Sequence, residues 1–108
     1  MWELAVHCAY WKYAVWRRLT GGKRGSFPLE GSNWFRRDAR DGPARWKADV
    51  ALLDRTHATL RRAVARFPPR RWGARAKGRH SYRDLVAGVA AHDLYHTGQV
   101  RLLLRLWA

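Results

Sequence analysis

An all-α domain of three long helices is what this sequence predicts. Stretches near 2–20, 44–67 and 81–106 place apolar residues at steps of three and four, the repeat of a helix with one buried face. Helix punctuation sits at their ends: Gly21-Gly22 after the first, Pro43 at the start of the second, Pro68-Pro69 after it, and Ser81 before the third. A chain of 108 residues accommodates one small domain with one core.

In the first helix, Leu4, Cys8, Trp11 and Val15 form an apolar stripe with His7 beside it, and Arg17 and Arg18 suit the negative end of the helix dipole. Trp2, Tyr10, Trp11, Tyr13 and Trp16 cannot all face one partner, so this helix touches several neighbours or lines a pocket. Residues 21–42 read as an irregular connection, long enough to need a structural reason. A nineteen-residue helix is about 28 Å long at 1.5 Å per residue. A connection of some twenty residues can return along all of it. The second helix would then run parallel to the first, with Phe27, Trp34 and Phe35 pinning the crossover to the bundle.

In the second helix, Trp46, Val50, Leu53, His57, Leu60, Val64 and Phe67 make an amphipathic stripe, which His57 interrupts as a core histidine, a boundary contact or a ligand. Residues 68–80 form a basic loop in which His80 is solvated. Ser81 caps the third helix, with Asp84 three residues on as an imperfect capping box. This last helix carries His92-Asp93-Leu94-Tyr95-His96-Thr97-Gly98-Gln99. His92 and His96 lie one turn apart on the face continued by Leu85, Val89, Val100 and Leu103. Two imidazoles in an apolar stripe need partners. A divalent metal satisfies both at once, and so does a pair of core histidines bonded to carbonyls or carboxylates.

Composition narrows the function classes. An apolar content of 47% with seven Trp excludes a disordered tail. No apolar run reaches the length of a membrane span, and the N-terminus lacks the layout of a signal peptide. A single cysteine, Cys8, excludes an internal disulfide, fits a reducing cytoplasm, and reads as core filler ahead of a nucleophile. The net charge of +14 invites nonspecific attraction to polyanions, but the Arg residues are scattered along helices and loops alike. No specific nucleic-acid partner and no membrane partner is expected.

Three stretches carry a family resemblance: Ala-Val-His-Cys-Ala-Tyr-Trp-Lys-Tyr-Ala-Val-Trp-Arg-Arg-Leu-Thr-Gly-Gly, then Gly-Ser-Phe-Pro-Leu-Glu-Gly-Ser-Asn-Trp-Phe, then Ala-Ala-His-Asp-Leu-Tyr-His-Thr-Gly-Gln-Val-Arg-Leu-Leu. They resemble the second helix, the crossover loop and the fourth helix of the DinB/YfiT-like superfamily. The resemblance covers nearly the whole chain as one domain, 1–108. It implies an up-down-down-up four-helix bundle, of which this chain supplies helices two to four, with a first helix and a Trp-bearing connection missing ahead of Met1. It also implies a divalent metal, Zn, Ni or similar, held by His7, His92 and His96. Gln99, three residues beyond His96, can face the same cavity, whereas Asp93 and Tyr95 point elsewhere on the helix; Trp11 and Tyr95 are further pocket candidates.

Relatives act as metal-dependent transferases using a low-molecular-weight thiol, as isomerases or as hydrolases, which implies a small-molecule substrate. A basic nucleic-acid-binding module, or a metal-binding scaffold without turnover, are the alternatives. The three helices carry more apolar surface than they can bury among themselves, so a homodimer through the open groove, or a longer parent chain, is expected.

Overall fold

Three helices account for most of the chain: α1 (Trp2–Thr20), α2 (Gly42–Arg66) and α3 (Tyr82–Leu106). The computed structural model describes residues 1–107. Short 3-10 turns occupy Ala39–Asp41 and Pro69–Arg71. The basic loop expected at 68–80 contains, in addition, a small antiparallel hairpin of β1 (Arg75–Lys77) and β2 (His80–Ser81).

Helix α1 is the centre, and both other helices pack on it. Its course relative to α2 is parallel. Trp2 Nε1 donates to Asp49 near the start of α2 at 2.7 Å, while Leu19 meets Leu60 and Phe67 at its end. Its course relative to α3 is antiparallel: His7 faces His92 and His96, and Val15 and Leu19 share a cluster with Val89 and Leu85.

The crossover explains the parallel pair. It leaves α1 through Gly21, whose left-handed backbone (φ 67°) returns its amide to the Arg17 carbonyl. The chain then retraces α1 residue by residue. Phe27 packs on Tyr13 and Tyr10, Phe35 on Tyr10, Asn33 bonds His7, and the Arg37 amide donates to Glu3 at 2.9 Å. Val6, Ala9, Tyr13, Phe27, Phe35 and Leu52 form one buried cluster, and Val15, Leu19, Leu60, Phe67 and Val89 form the other.

This covering by the crossover moves the buried faces away from the expected stripes. In α1 the buried residues are Val6, His7, Ala9, Tyr13, Val15 and Leu19, while Trp11 is 37% exposed. The helix is covered on more than one side, so a single stripe cannot describe it. In α2, Trp46 and His57 lie exposed, and the face centred on Asp49 and Leu52 turns inward. Asp49 is 1% exposed and accepts from Trp2 Nε1 and from Arg37 Nε, each at 2.7 Å. The first turn of α1, the end of the crossover and α2 are thereby tied at one carboxylate.

At the start of α3 the capping box is complete. Ser81 Oγ accepts from the Asp84 amide at 3.1 Å, and Asp84 accepts from the Ser81 amide at 2.9 Å. The far side of α3 stays open. Leu94, Leu102, Leu106 and Trp107 are all more than half exposed. A further cleft of about 530 Å³ separates α2 from α3 and is lined by Leu60, Val64, Val86 and Val89. No helix among the described residues is long and apolar enough to cross a membrane.

Candidate metal centre

His7, His92 and His96 converge, although 85 residues separate the first two. The antiparallel packing of α1 and α3 sets His7, in the second turn of α1, against the turn of α3 that carries both other rings. Ring centroids lie 4.8 Å apart for His7 and His92, 4.9 Å for His7 and His96, and 4.5 Å for His92 and His96. One ring nitrogen from each falls within 4.8 Å of the other two. His7 and His96 are buried, and His92 is partly buried.

Each ring is oriented by an oxygen at its Nδ1. His7 Nδ1 lies 2.8 Å from the Asn33 carbonyl, His92 Nδ1 3.0 Å from Asp93 Oδ1, and His96 Nδ1 2.6 Å from Gln99 Oε1. All three oxygens are acceptors, so each Nδ1 carries the proton and donates. On a neutral ring Nε2 is then left with a lone pair. His7 Nε2 and His92 Nε2 face each other at 2.9 Å. Two bare lone pairs at that distance repel, unless a cation lies between them.

Surrounding side chains restrict the site further. Trp34 lies flat on His7, at 3.8 Å and 7° between planes, and is itself half exposed. Trp11 meets His7 and His92 edge-on and donates from Nε1 to Asn33 Oδ1 at 2.9 Å. Tyr95 packs its ring edge-on to His96 but is 66% exposed and points outward. Gln99 reaches His96. Asp93 does so as well for His92, against the expectation that it points elsewhere: its carboxylate folds back to the neighbouring ring and takes an ion pair from Lys12.

Burial is the main cause that holds His7 below the usual histidine value, with smaller contributions from His92 and His96, opposed in part by the Asn33 carbonyl. Cys8 also lies near His92 and Asp93. Burial, then the Asp93 carboxylate, pushes its thiol up to about 12. A thiol held that high fits a buried filler. His57 and His80 are exposed and lie outside the cluster.

Asn33 escaped the sequence reading. It occupies a left-handed conformation (φ 66°), which Asn tolerates better than most residues. That geometry aims its carbonyl at His7 and its side chain at Trp11. A Ser-Asn pair directly after Gly31, in a connection pinned by aromatics, is the only local signal for it.

The donor set suits a divalent ion. Three imidazoles, each fixed through its second nitrogen, are the arrangement borderline metals take, and metal–nitrogen bonds of roughly 2.0–2.1 Å are compatible with the 2.9 Å between His7 Nε2 and His92 Nε2. Three protein ligands also leave a coordination position free. Comparison with curated proteins and with solved structures finds no match. The family model described as the DinB superfamily matches residues 1–100, and with nearly the whole chain covered, this protein belongs to the DinB superfamily.

Proposed function

We propose that His7, His92 and His96 bind one divalent metal ion, Zn, Ni or similar, and that the protein is a metal-dependent enzyme of transferase or hydrolase type acting on a small molecule. The observation that carries this reading is the set of three Nδ1–oxygen bonds, which leaves Nε2 of each ring as the available donor in a cluster where one ring nitrogen from each lies within 4.8 Å of the other two. Such a centre supplies a Lewis acid that makes a bound water or low-molecular-weight thiol nucleophilic near neutral pH.

This chain's own residues hold the site ready. Asn33, Asp93 and Gln99 fix the ring tautomers, and Lys12 neutralises Asp93, so that His92 is oriented without added net charge. Trp34 and Trp11 shield the His7 side from water. We further propose that the four-helix architecture of the family is completed here by a helix from outside this chain segment or by a second copy of the chain, and that the protein works as a cytoplasmic homodimer.

Metal analysis of purified protein beside a His92→Ala variant tests the reading. About one equivalent per chain is expected in the parent and a small fraction of that in the variant. Equal content in both overturns it. Activity that disappears with chelator and returns with added metal separates an enzyme from a scaffold that merely binds.

A further inference from the structure

The fold sorts the charge that the sequence scatters. Residues 17–24 and 55–83 contain fourteen of the twenty-two Lys and Arg residues and none of the eight acidic ones. The other eight basic residues balance the eight acidic ones, so the whole net charge of +14 resides in these two segments. In the sequence they lie thirty residues apart. In the structure the parallel course of α1 and α2 brings both to one end of the bundle. Leu19 packs on Leu60 and Phe67 there, and a cleft of about 270 Å³ has Trp16 and Leu19 on its walls beside Arg62, Arg66 and Arg71. The hairpin and the first turn of α3 close over the same end, through Trp72 and Tyr82.

None of these cations is held in an ion pair among the described residues. Every Lys or Arg that forms an ion pair among the described residues, namely Lys12, Arg37, Arg40 and Arg45, lies in the neutral half. Twelve of the fourteen are exposed, and Arg17 and Arg71 are partly buried, Arg71 over the rings of Phe67 and Tyr82. Twelve of the fourteen are Arg, whose planar fork pairs with phosphate oxygens two at a time.

We infer that this basic end is a docking surface for the phosphate backbone of nucleic acid, bound without sequence preference and separate from the histidine centre. An anionic membrane surface is the competing partner for such charge, and the distribution of apolar side chains argues against it. All large exposed hydrophobic residues lie outside 17–24 and 55–83, so the basic end offers nothing to insert into a bilayer. A face of Arg with no exposed apolar anchor, and with its flanking Asp84 already bonded to Ser81, fits a backbone of phosphates, where contacts set affinity and carry no sequence information. The amides of the α3 N-terminus contribute little, because the Ala74 and Trp72 carbonyls, Ser81 Oγ and the Asp84 carboxylate already accept from them.

Fluorescence anisotropy with a labelled duplex DNA of about 20 base pairs tests this, with affinity followed from about 50 to 200 mM salt. If the basic end covers about six phosphates, affinity falls by about 10³-fold across that range. Replacing Arg62, Arg66, Arg70 and Arg79 together by Gln should weaken binding by at least about 100-fold and flatten the salt slope by about three to four. A control removes the same charge from the other half, with Arg36, Lys47, Arg101 and Arg105 each changed to Gln, and should lose under about 10-fold. All eight side chains are exposed, so melting curves should stay alike. If the fourfold variant does unfold, Arg66→Gln against Arg101→Gln reads the same contrast. Equal loss in the two variants would mean that total charge, not its location, drives binding, and overturns the proposal. So does salt-independent affinity, or tighter binding to phosphatidylserine-rich vesicles than to the duplex.

Discussion

Replacing Asp49 by Ala should cost the domain a large part of its stability. Asp49 is 1% exposed, and its carboxylate accepts from Trp2 Nε1 at 2.7 Å and from Arg37 Nε at 2.7 Å and Nη2 at 3.4 Å. The Arg37 side chain is itself only 12% exposed. Removing the carboxylate leaves a buried cation and a buried indole N–H without their acceptor. Breaking a buried pair in this one-sided way costs about 3–5 kcal/mol. A domain of this size moves in Tm by about 4–8 °C per kcal/mol, so the variant should melt at least about 12 °C lower. Chemical denaturation with thermal melting measures both quantities. Arg37→Ala should cost a similar amount, since it strands the carboxylate instead. The pair Asp49→Leu with Arg37→Met removes both charges together, and should cost clearly less than the two single changes summed. Strict additivity, or a loss under about 1 kcal/mol for Asp49→Ala, would mean that the three-way tie is not what holds the crossover to α1 and α2.

Four further outcomes follow. Gln99→Ala should weaken metal binding about 10–100-fold, measured by competition with a metal-binding dye, while the fold is retained, because it frees the His96 ring and removes no ligand. Free metal at about 100 times its dissociation constant should stabilise the parent by about 2.7 kcal/mol against unfolding and leave His92→Ala unmoved. Ser81→Ala should cost about 1 kcal/mol by removing the cap on α3. Asp84 is held below the usual carboxylate range by its bonds to Ser81, the backbone amide foremost, so it stabilises the fold above that range and loses this as pH falls through it. An Asp84→Asn variant should therefore show a smaller drop in Tm on acidification than the parent.

Helix boundaries were readable because they rest on local chemistry. Gly21, Pro43, Pro68 and Ser81 act on their own neighbours, and each stands at or within two residues of its helix end. The long connection was readable as a crossover because its length matches that of α1. Spacing within α3 showed that His92 and His96 share a face. What local chemistry could not supply was which side each helix buries. The crossover adds a covering layer over α1 and α2, and an irregular segment gives no periodicity from which its path can be taken. For that reason Asp49, a charged residue outside the apolar stripe, is invisible as a core residue until Arg37 and Trp2 are seen to reach it. Asn33 and Lys12 are invisible for the same reason: each acts on the histidine cluster across a tertiary contact. The concentration of charge at one end is likewise a product of topology, because two basic segments far apart in sequence become neighbours only when α1 and α2 run parallel.

Two exposed surfaces of opposite character make the last prediction separable from the others. Along α3, Ala91, Leu94, Tyr95, Gly98, Leu102 and Leu106 follow helical steps on one side, and all are exposed. Added atoms at Gly98 would meet nothing within 4 Å, so the surface there is open to close approach. An apolar helical stripe of this length invites a second helix. If that helix is α3 of a second copy, two chains each carrying +14 must approach, and their repulsion opposes association at low salt. Screening weakens that repulsion once the Debye length drops below about 10 Å, near 0.1 M salt. Self-association should therefore strengthen as salt rises, whereas duplex binding at the basic end should weaken. Sedimentation at several salt concentrations gives the first trend and anisotropy the second, on the same preparation. Leu94→Lys with Leu102→Lys should abolish the dimer and leave metal content and duplex binding in place. A chain that stays monomeric at high protein concentration and high salt would show that the α3 stripe is not an interface between copies. A dimer that dissociates with added salt would instead place the contact on charged groups, away from the stripe.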